Sequence, residues 1–201
     1  YYCVHCNEPT TLGRIIKADK KNSNKIRNLK VSGYISDEDF FFMRDSMAIL
    51  EAVNLKEAKI VDVRQTRRSI KGHNDAQGNT TYFYTRKEGT VDNVIPDNEI
   101  NEKKSLCYAV LPEDITEIGQ YAFTEALVLN YLSIPNTVTT IGSSAFYNSG
   151  KNISMYYFSM SQNIQTIGDY AFYGCTAYST LNLYDTLTSM GSYAFAGCQF
   201  H

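Results

Sequence analysis

The second half of the chain repeats one pattern of apolar positions. ITEIGQYAF (Ile115–Phe123), VTTIGSSAF (Val138–Phe146), IQTIGDYAF (Ile164–Phe172) and LTSMGSYAF (Leu187–Phe195) are one phrase written four times at intervals of 23 to 26 residues. A unit of that length cannot bury its apolar side alone, so the repetition predicts coils stacked into a solenoid. One further period upstream, Ile95 and Ile100 of NVIPDNEI occupy the places of Ile118 and Phe123 and predict a degenerate fifth copy. Before each phrase stands an alternating segment: AVLP (Ala109–Pro112), LSIP (Leu132–Pro135), FSMS (Phe158–Ser161) and LNLY (Leu181–Tyr184). Alternation predicts strands, and stacking makes them parallel at a spacing of about 4.8 Å.

The register sorts the side chains. Ala109, Leu132, Phe158 and Leu181 form one inward column, and Leu111, Ile134, Met160 and Leu183 the next. On the far side, Ala122, Ala145, Ala171 and Ala194 allow neighbouring coils to approach, and Phe123, Phe146, Phe172 and Phe195 stack to fill the core. Gly119, Gly142, Gly168 and Gly191 are expected where the turn needs a positive φ or a close backbone approach. Cys175 and Cys198 share one repeat position and are expected as small buried hydrophobes. The positions that alternate with the inward columns face out: Tyr108, Tyr131, Tyr157 and Thr180 in one column, and Val110, Ser133, Ser159 and Asn182 in the other.

The first hundred residues differ. Leu29–Val31 and Val53–Leu55 predict two more strands 24 residues apart. Between them Ser36, with Asp39 three residues on, predicts a helix start, and Phe40, Met43, Met47 and Leu50 follow at helical spacing. Phe41 and Phe42 widen the apolar stripe, so the helix should be covered on more than one side. The expected organisation is an N-terminal tail and capping unit over 1–60, an irregular excursion over 61–93 with TTYFYT as its strand-like piece, and repeats over 94–201. Arg64, Arg67, Arg68 and Lys71 in the excursion read as a solvated basic loop.

Composition narrows the function. The 201 residues are 43% hydrophobic and 20% charged, with a formal net charge of -2, which excludes disorder, collagen and a nucleic-acid arm. No apolar run approaches the roughly 20 residues of a bilayer span. Residues 1–104 hold 18 Lys+Arg and 15 Asp+Glu, whereas residues 105–201 hold 1 and 6. That second half carries 11 of the 16 tyrosines and offers little attraction to phosphates, so no nucleic-acid partner is expected. Cys3 and Cys6 make one CxxC, half of a structural metal site, and with His5 inside the pair they read as a free or disulfide-linked tail. The three histidines, His5, His73 and His201, are scattered. No catalytic constellation, metal site or cofactor motif is expected.

LSIPNTVTTIGSSAFYNS and the endings AFYGC and AFAGC resemble the BspA-type leucine-rich repeats of bacterial surface proteins, and LKVSGYISDEDFFFMRDSM with AVNLKEAKI resembles the N-terminal cap of members from Bacteroides and related bacteria. The fold expected is therefore α/β: a leucine-rich-repeat solenoid with parallel strands, short turns on the far side and an N-terminal helical cap. Two departures from the family pattern are Ser161 and Tyr184 where proline is usual. The resemblance implies a non-enzymatic binding protein, extracellular or on the outer cell surface with its signal peptide removed, that adheres to host or extracellular-matrix proteins. The stacked tyrosines Tyr108, Tyr131 and Tyr157, with Ser133, Ser159 and Asn182 beside them, are the candidate contact residues, because rigid amphipathic rings are common in binding surfaces. A glycan-binding module and a structural spacer are the alternatives. The chain begins at Tyr1 without methionine or an apolar leader, so a processed chain is expected. It closes on AFAGCQFH without a charged cap, so end-to-end self-association or continuation into further repeats is expected.

Overall fold

The structure is a computed structural model that describes residues 1–61, 73–74, 80–81, 94–97, 100, 103–151, 155–178 and 180–200. The chain opens with β1 (Tyr2–Cys6), α1 (Leu12–Ala18), β2 (Asn28–Ile35), α2 (Asp37–Ser46) and β3 (Ala52–Ile60). A short antiparallel pair, β4 (His73–Asn74) and β5 (Thr80–Thr81), follows. Then come β6 (Val94–Ile95), β7 (Tyr108–Val110), β8 (Glu117–Ile118), β9 (Tyr131–Ser133), β10 (Thr140–Ile141), β11 (Tyr157–Ser159), β12 (Thr166–Ile167), β13 (Thr176–Ala177), β14 (Ser189–Met190) and β15 (Gln199–Phe200). The basic residues Arg64, Arg67, Arg68 and Lys71 and the rest of TTYFYT lie outside the described residues.

The coils that carry β7 and β8, β9 and β10, and β11 and β12 each contribute one strand to each of two sheets. The larger is parallel and six-stranded, in the order β1-β2-β3-β7-β9-β11, and the second is parallel and five-stranded, in the order β6-β8-β10-β12-β14. The in-phase register puts Leu29, Val53, Ala109, Leu132 and Phe158 in one row, all buried. On the second sheet Ile95, Ile118, Ile141 and Ile167 align in the same way and are likewise buried. The degenerate copy at Ile95 and Ile100 is therefore a coil: Ile100 is buried, and its N–H donates to the Ala122 carbonyl at 3.0 Å.

On the far side the phenylalanines stack. Ring centroids lie 5.3 Å apart for Phe123–Phe146, 5.1 Å for Phe146–Phe172 and 5.1 Å for Phe172–Phe195. The first three rings are fully buried, whereas Phe195 is half-buried because among the described residues no coil lies over its outer face. The same exposure corrects the inward columns in copy four, where Leu181 is half-buried and Leu183 is 44% exposed. Leu181–Tyr184 is not a strand and pairs with nothing in the sheet. Three-residue parallel pairings bring few hydrogen bonds, and here the burial that would hold such an edge in register is missing.

The repeated glycines meet the second of the two conditions expected of them. A Cβ on Gly142 would lie 2.7 Å from the Gln120 backbone nitrogen, and one on Gly168 2.5 Å from that of Ser143. Positive φ falls elsewhere: on Tyr121, Ser144, Tyr170 and Tyr193 just before the repeated alanine, and on Glu125, Asn148, Gly174 and Gly197 after the phenylalanine. The chain reverses at those positions, and the glycine before them lets one coil lie against the next.

The N-terminal residues form an ordered cap. Tyr2–Cys6 is the outer strand of the main sheet, paired in parallel with β2 from Tyr2↔Leu29 to Cys6↔Gly33. Alternation turns Cys3 out to solvent and buries Cys6, so the CxxC sulfurs lie on opposite faces of β1 and cannot share a ligand. Asp39, 2% exposed, joins the two helices. One carboxylate oxygen accepts from the N–H groups of Thr10 at 2.7 Å and Ser36 at 3.0 Å, and the other from that of Leu12 at 3.0 Å. Burial raises its pKa, and the three N–H donors pull the other way. Phe42 packs against Gly13, and Phe40 and Met43 face the core, so α2 is covered on two sides.

Truncating Phe146 to alanine should cost about 3 to 5 kcal/mol, the range for deleting a large core ring, and Phe195→Ala clearly less; equal losses in urea unfolding would contradict the stack described here. Asn at position 39 keeps one acceptor oxygen but turns an NH2 toward a backbone donor. Asp39→Asn should therefore lose about 1 to 3 kcal/mol and speed hydrogen exchange at the Leu12 amide, which amide NMR would register.

Candidate binding face

The outward face of the main sheet changes character along the solenoid. Over its first strands it carries ion pairs: Arg27 with Glu51, Lys30 with Glu57 at 2.6 Å, and Lys56 with Glu113 at 2.8 Å. The outward positions of β7, β9 and β11 carry no charge, and one on each strand is a tyrosine. Tyr108, Tyr131 and Tyr157 are register partners on β7, β9 and β11, and their rings stack at 4.5 Å and 4.7 Å with interplanar angles of 21° and 11°. These spacings are those of the strands that carry them. Tyr108 and Tyr131 are half-buried, and Tyr157, at the end of the row, is 44% exposed.

Stacking hides most of the ring faces and leaves a row of edges and hydroxyls. Burial raises the Tyr131 phenol pKa, and the phenols of Tyr108 and Tyr157 on either side add to the rise. Its hydroxyl is neutral at pH 7, able to donate and to accept. Beside the rings runs the second outward column, Val110, Ser133 and Ser159, in which the two serine hydroxyls lie 3.1 Å apart.

Ser133, Ser159 and Asn182 come together, though not as successive rungs. Because Leu181–Tyr184 does not pair with β11, Thr180 and Asn182 stand off the sheet, and a groove of about 340 Å³ opens between them and the ends of β9 and β11. Thr180 is thus a wall of this groove and not a fourth member of the tyrosine column. Asn136 braces the rim: its side-chain oxygen accepts from the Gln162 N–H at 3.0 Å, and its carbonyl from the Asn163 side chain at 2.8 Å.

A second set of stacked tyrosines lies outside the expected columns. Tyr147 and Tyr173 stack at 5.0 Å, and Tyr170 and Tyr193 at 5.3 Å. The repeat register holds the signal for both pairs, since Tyr147 and Tyr173 each follow the Ala-Phe, and Tyr170 and Tyr193 each precede it.

The cysteines sit in structural places. The Cys175 thiol donates to the Phe146 carbonyl at 2.9 Å and that of Cys198 to the Phe172 carbonyl at 2.8 Å, while Ser149 makes the equivalent bond to Phe123 at 2.7 Å. Cys175 is buried and Cys198 half-buried, and burial raises both thiol pKa values, which disfavours the reactive thiolate. Among the described residues no group of three or more His, Cys, Asp or Glu side chains could hold a metal ion.

No curated protein matches the chain. A family model for the BspA type leucine-rich repeat region matches residues 93–201 with 6 copies, where the four clear phrases and the degenerate one account for five. The match spans the coils that carry the tyrosine column and the groove, and it covers more than half of the chain. The protein belongs to the BspA-type leucine-rich repeat family.

Proposed function

We propose that this chain is a non-enzymatic binding module, secreted or exposed on a cell surface, and that it holds a host or extracellular-matrix protein against the outward face of its main sheet. Membership of a leucine-rich repeat family suggests a protein-interaction module, and among the described residues no helix is long and apolar enough to cross a membrane. The observation that carries the reading is the stacked row Tyr108, Tyr131 and Tyr157 on an uncharged part of the sheet. Such rings supply amphipathic area that loses little conformational entropy on binding, because neighbouring rings already hold one another. The partner would lie across the strands, covering ring edges and hydroxyls, with Ser133, Ser159 and Asn182 at one flank.

The exposed apolar edge of the fourth copy supports a second contact in the same reading, covered either by another copy of the chain or by further repeats of a longer one. Leu183 and Met190 there are 44% and 55% exposed, and coils of this kind are stable when covered.

Purified matrix proteins and glycans, screened against the chain and against a variant with Tyr108, Tyr131 and Tyr157 all changed to serine, test the first contact. The variant should keep its circular dichroism and lose at least about tenfold in affinity, as expected when interface anchors are removed. Full affinity in a folded variant would exclude this face, and absence of binding across the whole screen would favour a spacer. Light scattering checks the stacking of one copy on another, for which the apparent mass should rise with concentration; a constant monomer mass removes it.

A further inference from the structure

The residue before each repeated alanine sits in the left-handed region: Tyr121, Ser144, Tyr170 and Tyr193 all have a φ of 55°. A ring there costs conformational energy that glycine or asparagine would avoid. Burial does not repay it, since Tyr121 is 43% and Tyr170 40% exposed. A side chain that the backbone disfavours and the core does not use, placed at the same point of several coils, calls for a contact made outside the fold.

These four positions form one row across the coils. The Tyr121 N–H donates to the Ser143 carbonyl at 3.1 Å, that of Ser144 to the Asp169 carbonyl at 2.8 Å and that of Tyr170 to the Ser192 carbonyl at 2.9 Å, so each stands one coil from the next. Tyr170 stacks on Tyr193 with centroids 5.3 Å apart, and Tyr173 packs against Tyr170 at 5.8 Å and 56°. On the other side of Tyr170 the row holds serine instead of a ring. Tyr121 and Tyr170 are therefore two coil steps apart, about 10 Å at strand spacing, with Ser144 between them. At the spacing of this row the gap is one ring thick. Its floor has its own bonds: besides the Ser144 N–H, the Ser144 carbonyl accepts from Thr124 Oγ1 and from the Tyr147 N–H.

The charge beside the gap is negative. Asp169, whose carbonyl Ser144 binds, directly precedes Tyr170 and is exposed. Its carboxylate accepts from the Ser192 N–H at 2.7 Å and takes part in none of the ion pairs among the described residues. Residues 105–201 hold six acidic side chains and a single Lys+Arg, Lys151. A flat, positively charged group suits both the gap and the carboxylate, for a guanidinium stacks on aromatic faces and bonds a carboxylate through its planar fork.

We propose that the gap over Ser144 receives an arginine side chain of a partner protein, its guanidinium stacked between Tyr121 and Tyr170 and bonded to Asp169. The site lies at the reversal after the second sheet and does not depend on the tyrosine row of the main sheet, so either can fail alone.

The full chain, labelled with 15N, is titrated with the peptide acetyl-Gly-Arg-Gly-amide and with its lysine and phenylalanine counterparts. The arginine peptide should shift the Ser144 and Tyr170 backbone amides saturably and bind at least about threefold more tightly than the lysine peptide, which carries the charge without the plane. Asp169→Asn, which keeps an acceptor for the Ser192 N–H, should weaken it about twofold or more. Ser144→Tyr is the decisive variant, because the same backbone conformation carries tyrosine in three other copies. It should keep its unfolding midpoint, fill the gap and weaken the arginine peptide about tenfold or more. Should it lower that midpoint, Tyr121→Ser takes its place by removing one wall, with the same loss expected. The proposal is overturned if the arginine peptide shifts neither amide by about 10 mM, where millimolar binding is close to saturation. It is equally overturned if the lysine or phenylalanine peptide binds as tightly, or if the folded gap or wall variant keeps the parent's affinity.

Discussion

The structure depends on the burial of each coil's apolar side chains by the next coil. No single coil of this chain has an interior: Leu132 is covered by Ala109 on one side and Phe158 on the other, and Phe146 by Phe123 and Phe172. Stability in such an array is close to a sum of neighbour terms, so the coils must approach to strand distance along their whole perimeter. The glycine before each reversal and the alanine after it permit that approach at the tightest point. Where covering ends, order of the same kind ends too, as the unpaired Leu181–Tyr184 shows.

Close approach brings backbone polar groups of successive coils together, and side chains that repeat with the coils satisfy them. Ser149, Cys175 and Cys198 donate to the carbonyl of the preceding coil's phenylalanine. Thr137 and Thr186 donate to Glu113 and Gln162, each at 2.9 Å, and Asp97 and Asp169 accept from the N–H groups of Gln120 and Ser192, each at 2.7 Å. Where these bonds are buried, at Ser149 and Cys175, the donors are short and neutral, because a charge there would have to be desolvated, whereas Asp97 and Asp169 accept at exposed positions. Ser161, standing where the family pattern has proline, joins the scheme: its hydroxyl donates to the Val138 carbonyl at 2.7 Å and accepts from the Asn163 N–H at 3.1 Å.

The same translation that stacks the core stacks the surface. A residue type repeated at one outward position becomes a row, so Tyr108, Tyr131 and Tyr157 present rings already ordered by their neighbours. Where the outward surface departs from a row, the cause is a break in the translation. The groove exists because the fourth copy does not pair with β11.

The sequence by itself determined what periodicity can carry. The period, the inward and outward columns, the phenylalanine stack and the tyrosine row all follow from residue type against repeat position, since in a solenoid neighbours in space are residues one period apart. Only the tertiary structure decided what has no counterpart one period away. YYCVHC reads as a tail because a single alternating segment names no partner, yet it completes the main sheet by pairing with β2. The bond of Asp39 to Thr10 and Leu12, and that of Lys103 Nζ to the Arg44 and Met47 carbonyls at 2.9 Å and 2.5 Å, link segments of unrelated pattern. The left-handed turns fall on Tyr121, Ser144, Tyr170 and Tyr193 and not on the neighbouring glycines, because close packing of backbones claims the glycine first. The last strand was legible as a pattern and absent as a structure, for an alternating segment becomes a strand only when hydrogen bonds and burial on both sides repay its ordering.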